Sequence, residues 1–211
     1  EFKGEKPILA QLRDAAVAAE PDARIGAVVA GLDRAYSLPK TQTTRAVVFA
    51  TYPAAADAVF DTLAKKWPGQ VLRHGVAGWQ QFRASQTYRV LVCDAAAEEG
   101  LNLHGRGTLL VHYDLPWSAN RVEQRVGRLD RFGVGTPVRS VVPTATGDVL
   151  SSAAADYLDL GYRVFERSIA ALQYVTETEL DALYPLALAD GPAAIKAATD
   201  RLGGDEGVVE T

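Results

Sequence analysis

Apolar positions along the chain fall into two alternating rhythms. Short, largely β-branched runs stand at RAVVFAT (45–51), QVLRH (70–74), YRVLVC (88–93), TLLVHYD (108–114) and VRSVV (138–142), and each predicts a strand. Around them the spacing widens to a helical period. Residues 7–19 and 22–36 predict helices ahead of the first strand, with Asp22 as a candidate N-cap. Beyond the last strand, Leu158, Tyr162, Phe165, Ile169 and Leu172 recur at i, i+4, i+7, i+11 and i+14, the pattern of one amphipathic helix. Two further helices are predicted over about 177–187 and 192–201, before a glycine-containing end, GGDEGVVET, that predicts fraying. Near-continuous apolar strands separated by helices imply an α/β fold, a parallel sheet covered by helices on both faces. Ligands of such sheets gather at the carboxyl ends of the strands, where the turns after Cys93 and at Asp114 fall.

One polar segment breaks this rhythm. In DLPWSANRVEQRVGRLDRFG (114–133) four arginines occur within eleven residues. At about 100° per residue, a helix starting near Ser118 places Arg121, Gln124, Arg125, Arg128 and Arg131 within roughly a third of its circumference. Val122, Val126 and Leu129 fall opposite and predict an anchored helix that presents its guanidinium groups outward. Like charges at i, i+4 cost about 0.2–0.5 kcal/mol each, so this face calls for an anion. Phosphate suits it, because the planar guanidinium fork matches phosphate oxygens and stays charged. A solvated basic face is the alternative reading for any run of arginines.

Composition narrows the picture. A chain of 211 residues with 48% hydrophobic content can bury a core. No apolar run approaches the ~18 residues of a membrane span, and no basic leader with an apolar stretch opens the chain. The single cysteine, Cys93, sits in an apolar run with no disulfide or metal partner, which fits a reducing cytoplasm. Residues 1–144 hold 18 basic and 14 acidic side chains, and residues 145–211 hold 4 and 12. A net charge of −4 excludes a uniformly basic nucleic-acid binder. Nucleic-acid contact is therefore expected in the first region, with the acidic tail facing solvent or another protein. The chain has no methionine and opens Glu1-Phe2-Lys3-Gly4, which predicts a fragment excised from a longer protein, with Glu1-Phe2 left by cloning. The expected division is a helical lead-in at 1–21, an α/β domain at 22–145 and an acidic helical extension at 146–211.

The string QRVGRLDR (124–131) fits Q-R-x-G-R-x-x-R, and so resembles motif VI of superfamily 2 helicases and translocases. Upstream, VLVCDAAAEEGLNLHG (90–105) resembles motif V of the Swi/Snf-type branch, and LLVHYDLPW (109–117) resembles the strand and turn preceding motif VI there. Within that branch the segment is most similar to bacterial RapA/HepA-like proteins, which associate with RNA polymerase. YLDLGYRVFERSI (157–169) looks like the helix that follows motif VI in that group. Alanines at 95–97 and Phe132-Gly133-Val134 depart from the pattern, which often has a glycine in motif V and I-G-Q after motif VI.

The resemblance implies the second of two RecA-like domains that sandwich ATP. In such a pair the first domain supplies the phosphate loop and the Mg²⁺-binding acids; no G-x-x-x-x-G-K-[ST] occurs in these 211 residues, and Asp205-Glu206 stands in the glycine-containing end rather than in an acidic box after an apolar strand. Alone, the segment is expected not to hydrolyse ATP. By resemblance, Arg128 and Arg131 are finger arginines and Gln124 couples them to the nucleic-acid site. Arg125 has a supporting salt-bridge or interdomain role. Glu99 and Gly100 belong to a motif V turn that senses nucleotide, while Asn102, His74 and Gly75 meet nucleic acid. An ordinary strand-to-helix turn at 99–102 and a surface turn at 74–75 are the plainer readings. Trp117 reads as core. No metal site is expected among these residues. The implied partners are duplex DNA, the first RecA-like domain and RNA polymerase. The alternative function is a catalytically inert RecA-like docking module for a protein or nucleic acid.

Overall fold

All five apolar runs form strands. The computed structural model describes residues 5–18, 23–37, 45–75, 78–104, 109–130, 138–145 and 147–203. Strands β1 (Ala46–Phe49), β2 (Val71–Arg73), β3 (Val90–Cys93), β4 (Leu109–His112) and β5 (Arg139–Val141) make one sheet. Its order is β2-β3-β1-β4-β5, and every pairing is parallel. The three central strands are buried at each residue, which is why they read as unbroken apolar runs rather than as alternation. On one face Val48, Val92 and Val111 pack on Val28 and Leu32 of helix α2 (Ala23–Ser37) and on Val59 and Leu63 of helix α3 (Pro53–Lys66). On the other face Val47, Phe49, Leu91 and Leu110 pack on Phe82 of α4 (Gly78–Ala84) and on Val126 and Leu129, in and just after α5 (Ala119–Gly127). Fully burying side chains of this size stabilises the fold by about 1.5–3 kcal/mol each. Helix α1 (Glu5–Ala18) precedes this core.

The strand order reverses beside β1. The chain builds β3 on one side of it and then crosses to build β4 on the other. That reversal brings the carboxyl ends of β1, β3 and β4 together, the position at which open α/β sheets bind ligands.

After β5 come α6 (Val149–Asp156), α7 (Gln173–Asp190) and α8 (Pro192–Gly203). The single helix expected through 158–172 does not form. Helix α6 runs into a wide π-type turn at Tyr157–Gly161, where the Tyr162 N–H donates to the Tyr157 carbonyl at 3.2 Å. Arg163 then takes a left-handed φ of 56°, and only Ala170–Leu172 coil again, as a 3₁₀ turn. Close packing of α8 accompanies the break. A Cβ on Gly161 would lie 3.6 Å from the Thr199 Cα, and one on Gly203 would lie 2.4 Å from the Leu160 carbonyl oxygen. Leu158, Tyr162 and Ile169 are nonetheless buried, against Ala119 and Val122 of α5, Leu183 of α7 and Ile195 and Leu202 of α8. Helical spacing thus picked out core residues correctly and their backbone wrongly. The GGDEGVVET end lies outside the described residues beyond Gly203.

His112 in β4 is wholly enclosed, edge-on to Phe165 at 5.7 Å, with neither ring nitrogen hydrogen-bonded among the described residues. Burial, helped by the nearby Arg125 charge, lowers its imidazole from 6.5 to about 3. The unfolded chain therefore takes up a proton near 6.5, while the folded chain resists it down to about 3. Stability contributed by this group is present above pH 6.5 and is lost as pH falls through that window, at up to about 1.4 kcal/mol per pH unit. Replacing His112 by leucine is expected to shrink the difference between urea midpoints at pH 7 and pH 5. An unchanged difference would assign the acid sensitivity to other groups.

Candidate functional site

The ends of β1 and β4 are tied by a carboxylate. Asp114 accepts hydrogen bonds from the Thr51 N–H, at 2.8 Å to each oxygen, and from the Thr51 hydroxyl at 2.6 Å. From there the chain turns through Pro116 to Ser118, whose hydroxyl accepts from the Arg121 N–H at 3.4 Å and caps α5, the helix that the sequence predicts to start near this residue. Trp117 is half-buried and stacks flat on Tyr184 of α7, with ring centroids 5.7 Å apart.

Along α5 the arginines do not share one environment, contrary to the expectation that all face outward. Arg125 is completely buried. Its Nε donates to Glu98 at 2.7 Å, one terminal nitrogen to the Asp114 carbonyl at 2.8 Å and the other to the Thr51 hydroxyl at 3.1 Å. Its guanidinium carbon lies 5.3 Å from the centre of the Phe49 ring. Arg121, partly exposed, clasps the same Glu98 carboxylate at 2.8 and 3.0 Å, and that bond chiefly raises its pKa further. The anion met by these two arginines is thus the protein's own. The reason is geometric: the turn after β3 ends at Glu98, against the side of α5.

Arg128 differs. It is partly exposed at the C-cap of α5 and donates to the carbonyls of Gln124 and Leu101, both at 3.3 Å. Among the described residues no carboxylate pairs with it. Gln124 is exposed. Arg131 lies outside the described residues.

The turn after β3, expected to serve as motif V, is built from Asp94, whose carboxylate accepts from the Ala96 N–H at 3.0 Å, and the 3₁₀ segment Ala95–Glu98. Gly100 has φ 73°, a conformation that favours glycine, and open space surrounds the position of an added Cβ. Backbone shape, rather than close approach, accounts for this glycine. Glu99 and Asn102 are exposed. The Asn102 side chain accepts from the His104 N–H at 3.4 Å, and the His104 ring lies 2.9 Å from the Gly127 carbonyl. The Leu103 N–H donates to the Arg128 carbonyl at 2.9 Å. The turn after β3 and the end of α5 are therefore stitched together directly.

His74 and Gly75 stand apart at the end of the edge strand β2. The His74 N–H donates to the Val92 carbonyl at 2.7 Å. Burial holds its half-buried ring below the ordinary imidazole range, with Arg73 adding to that effect and Asp94 opposing it. Arg73 bridges Asp57 at 2.9 Å and Asp94 at 2.6 Å. Burial alone would raise the Asp94 carboxyl, but the Arg73 bond outweighs it and holds the group low. The turn after β3 thus joins two clusters, Asp94 in one and Glu98 in the other. Among the described residues no three His, Cys, Asp or Glu side chains group as metal ligands.

Residues 32–133 match the family described as helicase conserved C-terminal domain. The match spans a little under half of the chain, and over it the sequence is similar to helicase C-terminal domains. The RNA polymerase-associated protein RapA of Proteus mirabilis is 33% identical over 95 residues, 45% of this chain and 10% of that protein. The uncharacterized ATP-dependent helicase YqhH of Bacillus subtilis is 36% identical over 61 residues, 29% of this chain and 11% of that protein. The chain thus spans about a tenth of the length of these relatives. Among solved structures, the C-terminal domain of the DEAD-box protein Dbp5 is similar over 67% of this chain and 79% of its own, at TM-score 0.49 and 17% identity. The Pyrococcus furiosus Hef helicase domain is similar over 67% of this chain and 29% of its own, at TM-score 0.47 and 24% identity. Among the described residues no helix is long and apolar enough to cross a membrane.

The residues at this site that the sequence did not single out are Glu98, Thr51, Arg73 and Asp57. Glu98 had a signal: an acidic doublet ahead of Gly100 and two arginines four apart, which if buried require a carboxylate.

Proposed function

We propose that this chain is the second motor half of an ATP-dependent, nucleic-acid-stimulated translocase or helicase-like remodeller acting on duplex DNA. The observation that carries the reading is the allotment of charge along α5. Glu98 neutralises Arg121 and Arg125, and among the described residues Arg128 keeps only two long bonds to carbonyls. A cation at the end of α5, held against the turn after β3 and lacking a carboxylate among the described residues, suits the γ-phosphate of ATP. In this reading Arg128, joined by Arg131, stabilises charge that develops on the transferring phosphoryl group. Gln124, exposed one turn earlier, relays nucleotide state toward nucleic acid, which in this reading is met by His74, Gly75 and Asn102. Arg125, Glu99 and Gly100 hold the framework between them. ATP supplies the phosphoryl group and Mg²⁺ neutralises its oxygens, the metal being held chiefly by a first RecA-like domain. RNA polymerase is the proposed protein partner, after the name of the RapA relatives, and the cytoplasm the proposed location.

The deciding experiment measures steady-state ATP hydrolysis by the polypeptide that joins this segment to a phosphate-loop domain, with and without duplex DNA. Hydrolysis raised by DNA is the expected result. Absence of hydrolysis in both conditions would overturn the motor reading in favour of an inert docking module.

A further inference from the structure

Glu98 and Glu99 stand side by side ahead of Gly100, and only the first turns inward. Glu98 is 6% exposed, whereas Glu99 faces solvent. One oxygen of Glu98 accepts from Arg125 Nε at 2.7 Å and Arg121 Nη2 at 3.0 Å, and the other from Arg121 Nε at 2.8 Å. A single carboxylate therefore serves two guanidinium groups one helical turn apart. Without it the two cations would repel at i, i+4. Arg125, wholly enclosed, would keep only the Asp114 carboxylate as counter-charge, at 3.5 Å.

The contact also fixes position. Two successive turns of α5 are pinned to one point at the end of β3, which sets both the rotation of the helix about its axis and its travel along it. Arg128 lies three residues beyond Arg125, at the end of the same short helix. Its guanidinium is placed from those two pins and from the Leu101 carbonyl in the same turn as Glu98.

We infer that Glu98, and not the neighbouring Glu99, is the positioning residue that aims Arg128 and withdraws Arg121 and Arg125 from competition for its anion. The catalytic half of this inference rests on the proposed motor reading; the structural half does not. Positioning is the right word, because Glu98 acts through the arginines and touches no reacting atom.

The test uses Glu98→Gln, Glu99→Gln, Arg121→Gln and the double variant Glu98→Gln/Arg121→Gln. In the protein joined to its phosphate-loop domain, Glu98→Gln is expected to lower kcat about 10²-fold, the scale of an ångström-sized misplacement, while KM for ATP changes little. The double variant regains part of that loss, because Arg125 and Asp114 remain as a balanced pair once Arg121 loses its charge. A role in stability alone would lower the urea midpoint and leave kcat untouched wherever the protein is folded.

In the 211-residue chain, Glu98→Gln should lower the urea midpoint by about 1 M or more, with partial recovery in the double variant. The Arg128 Nε–H resonance should move in Glu98→Gln and stay in place in Glu99→Gln. An active parent whose kcat survives Glu98→Gln would overturn the inference, as would an Arg128 resonance indifferent to Glu98. An inactive parent would sink the motor reading while the urea and resonance measurements still decide the role of Glu98.

Discussion

Arg128→Ala is expected to slow DNA-stimulated ATP hydrolysis by about 10³–10⁵-fold, the usual worth of an arginine finger. That corresponds to about 4–7 kcal/mol of barrier. The size of the effect follows from what Arg128 lacks. Its described bonds are two contacts to carbonyls at 3.3 Å, which a truncated side chain surrenders at small cost to folding. Nucleotide affinity and the urea midpoint should therefore change little while kcat collapses. This separation matters, because loss of activity with loss of fold would say nothing about the arginine. Near-normal hydrolysis by a folded Arg128→Ala protein would turn the helix into a docking surface.

The second large effect is structural. Arg125→Met should destabilise the chain by about 3–5 kcal/mol, the range for breaking a buried ion pair from one side, out of a total that for domains is about 5–15 kcal/mol. Methionine fills some of the volume but leaves the Asp114 carbonyl and the Thr51 hydroxyl each without their guanidinium donor. Arg125→Lys should rescue little. One ammonium cannot span acceptors on Glu98, Asp114 and Thr51 that a planar fork reaches together. Urea unfolding of the 211-residue chain measures both. A loss under about 1 kcal/mol for Arg125→Met would mean that the neighbouring groups find other partners.

The parts of this molecule that were legible in the sequence are those governed by local chemistry. Each strand carries its signal in consecutive apolar residues, and Ser118 announces the start of α5 because a cap needs only the next few residues. The fate of the arginines was not legible in the same way. A helical wheel gives the angle between Arg121 and Arg125, but their counter-ion is Glu98, 23 and 27 residues earlier. Only the fold brings it alongside. The turn at Tyr157–Gly161 was hidden for a related reason: the same apolar spacing suits a continuous helix or a broken one, and the choice goes with how closely α8 packs on Gly161. For His74 and Gly75 the sequence located a strand end, and the Arg73, Asp57 and Asp94 bridges that surround it are long-range contacts.

Helix α5 has nine residues, too few to hold its shape unaided in water. Val126 rests on the sheet, while Ala119 and Val122 rest on the extension. The Glu123 carboxylate accepts from the Ser168 hydroxyl at 2.5 Å and the Ile169 N–H at 2.9 Å. The acidic extension is thus fastened to the outer side of the helix that carries Arg128, through Glu123, Ala119 and Val122, by contacts that do not involve the sheet.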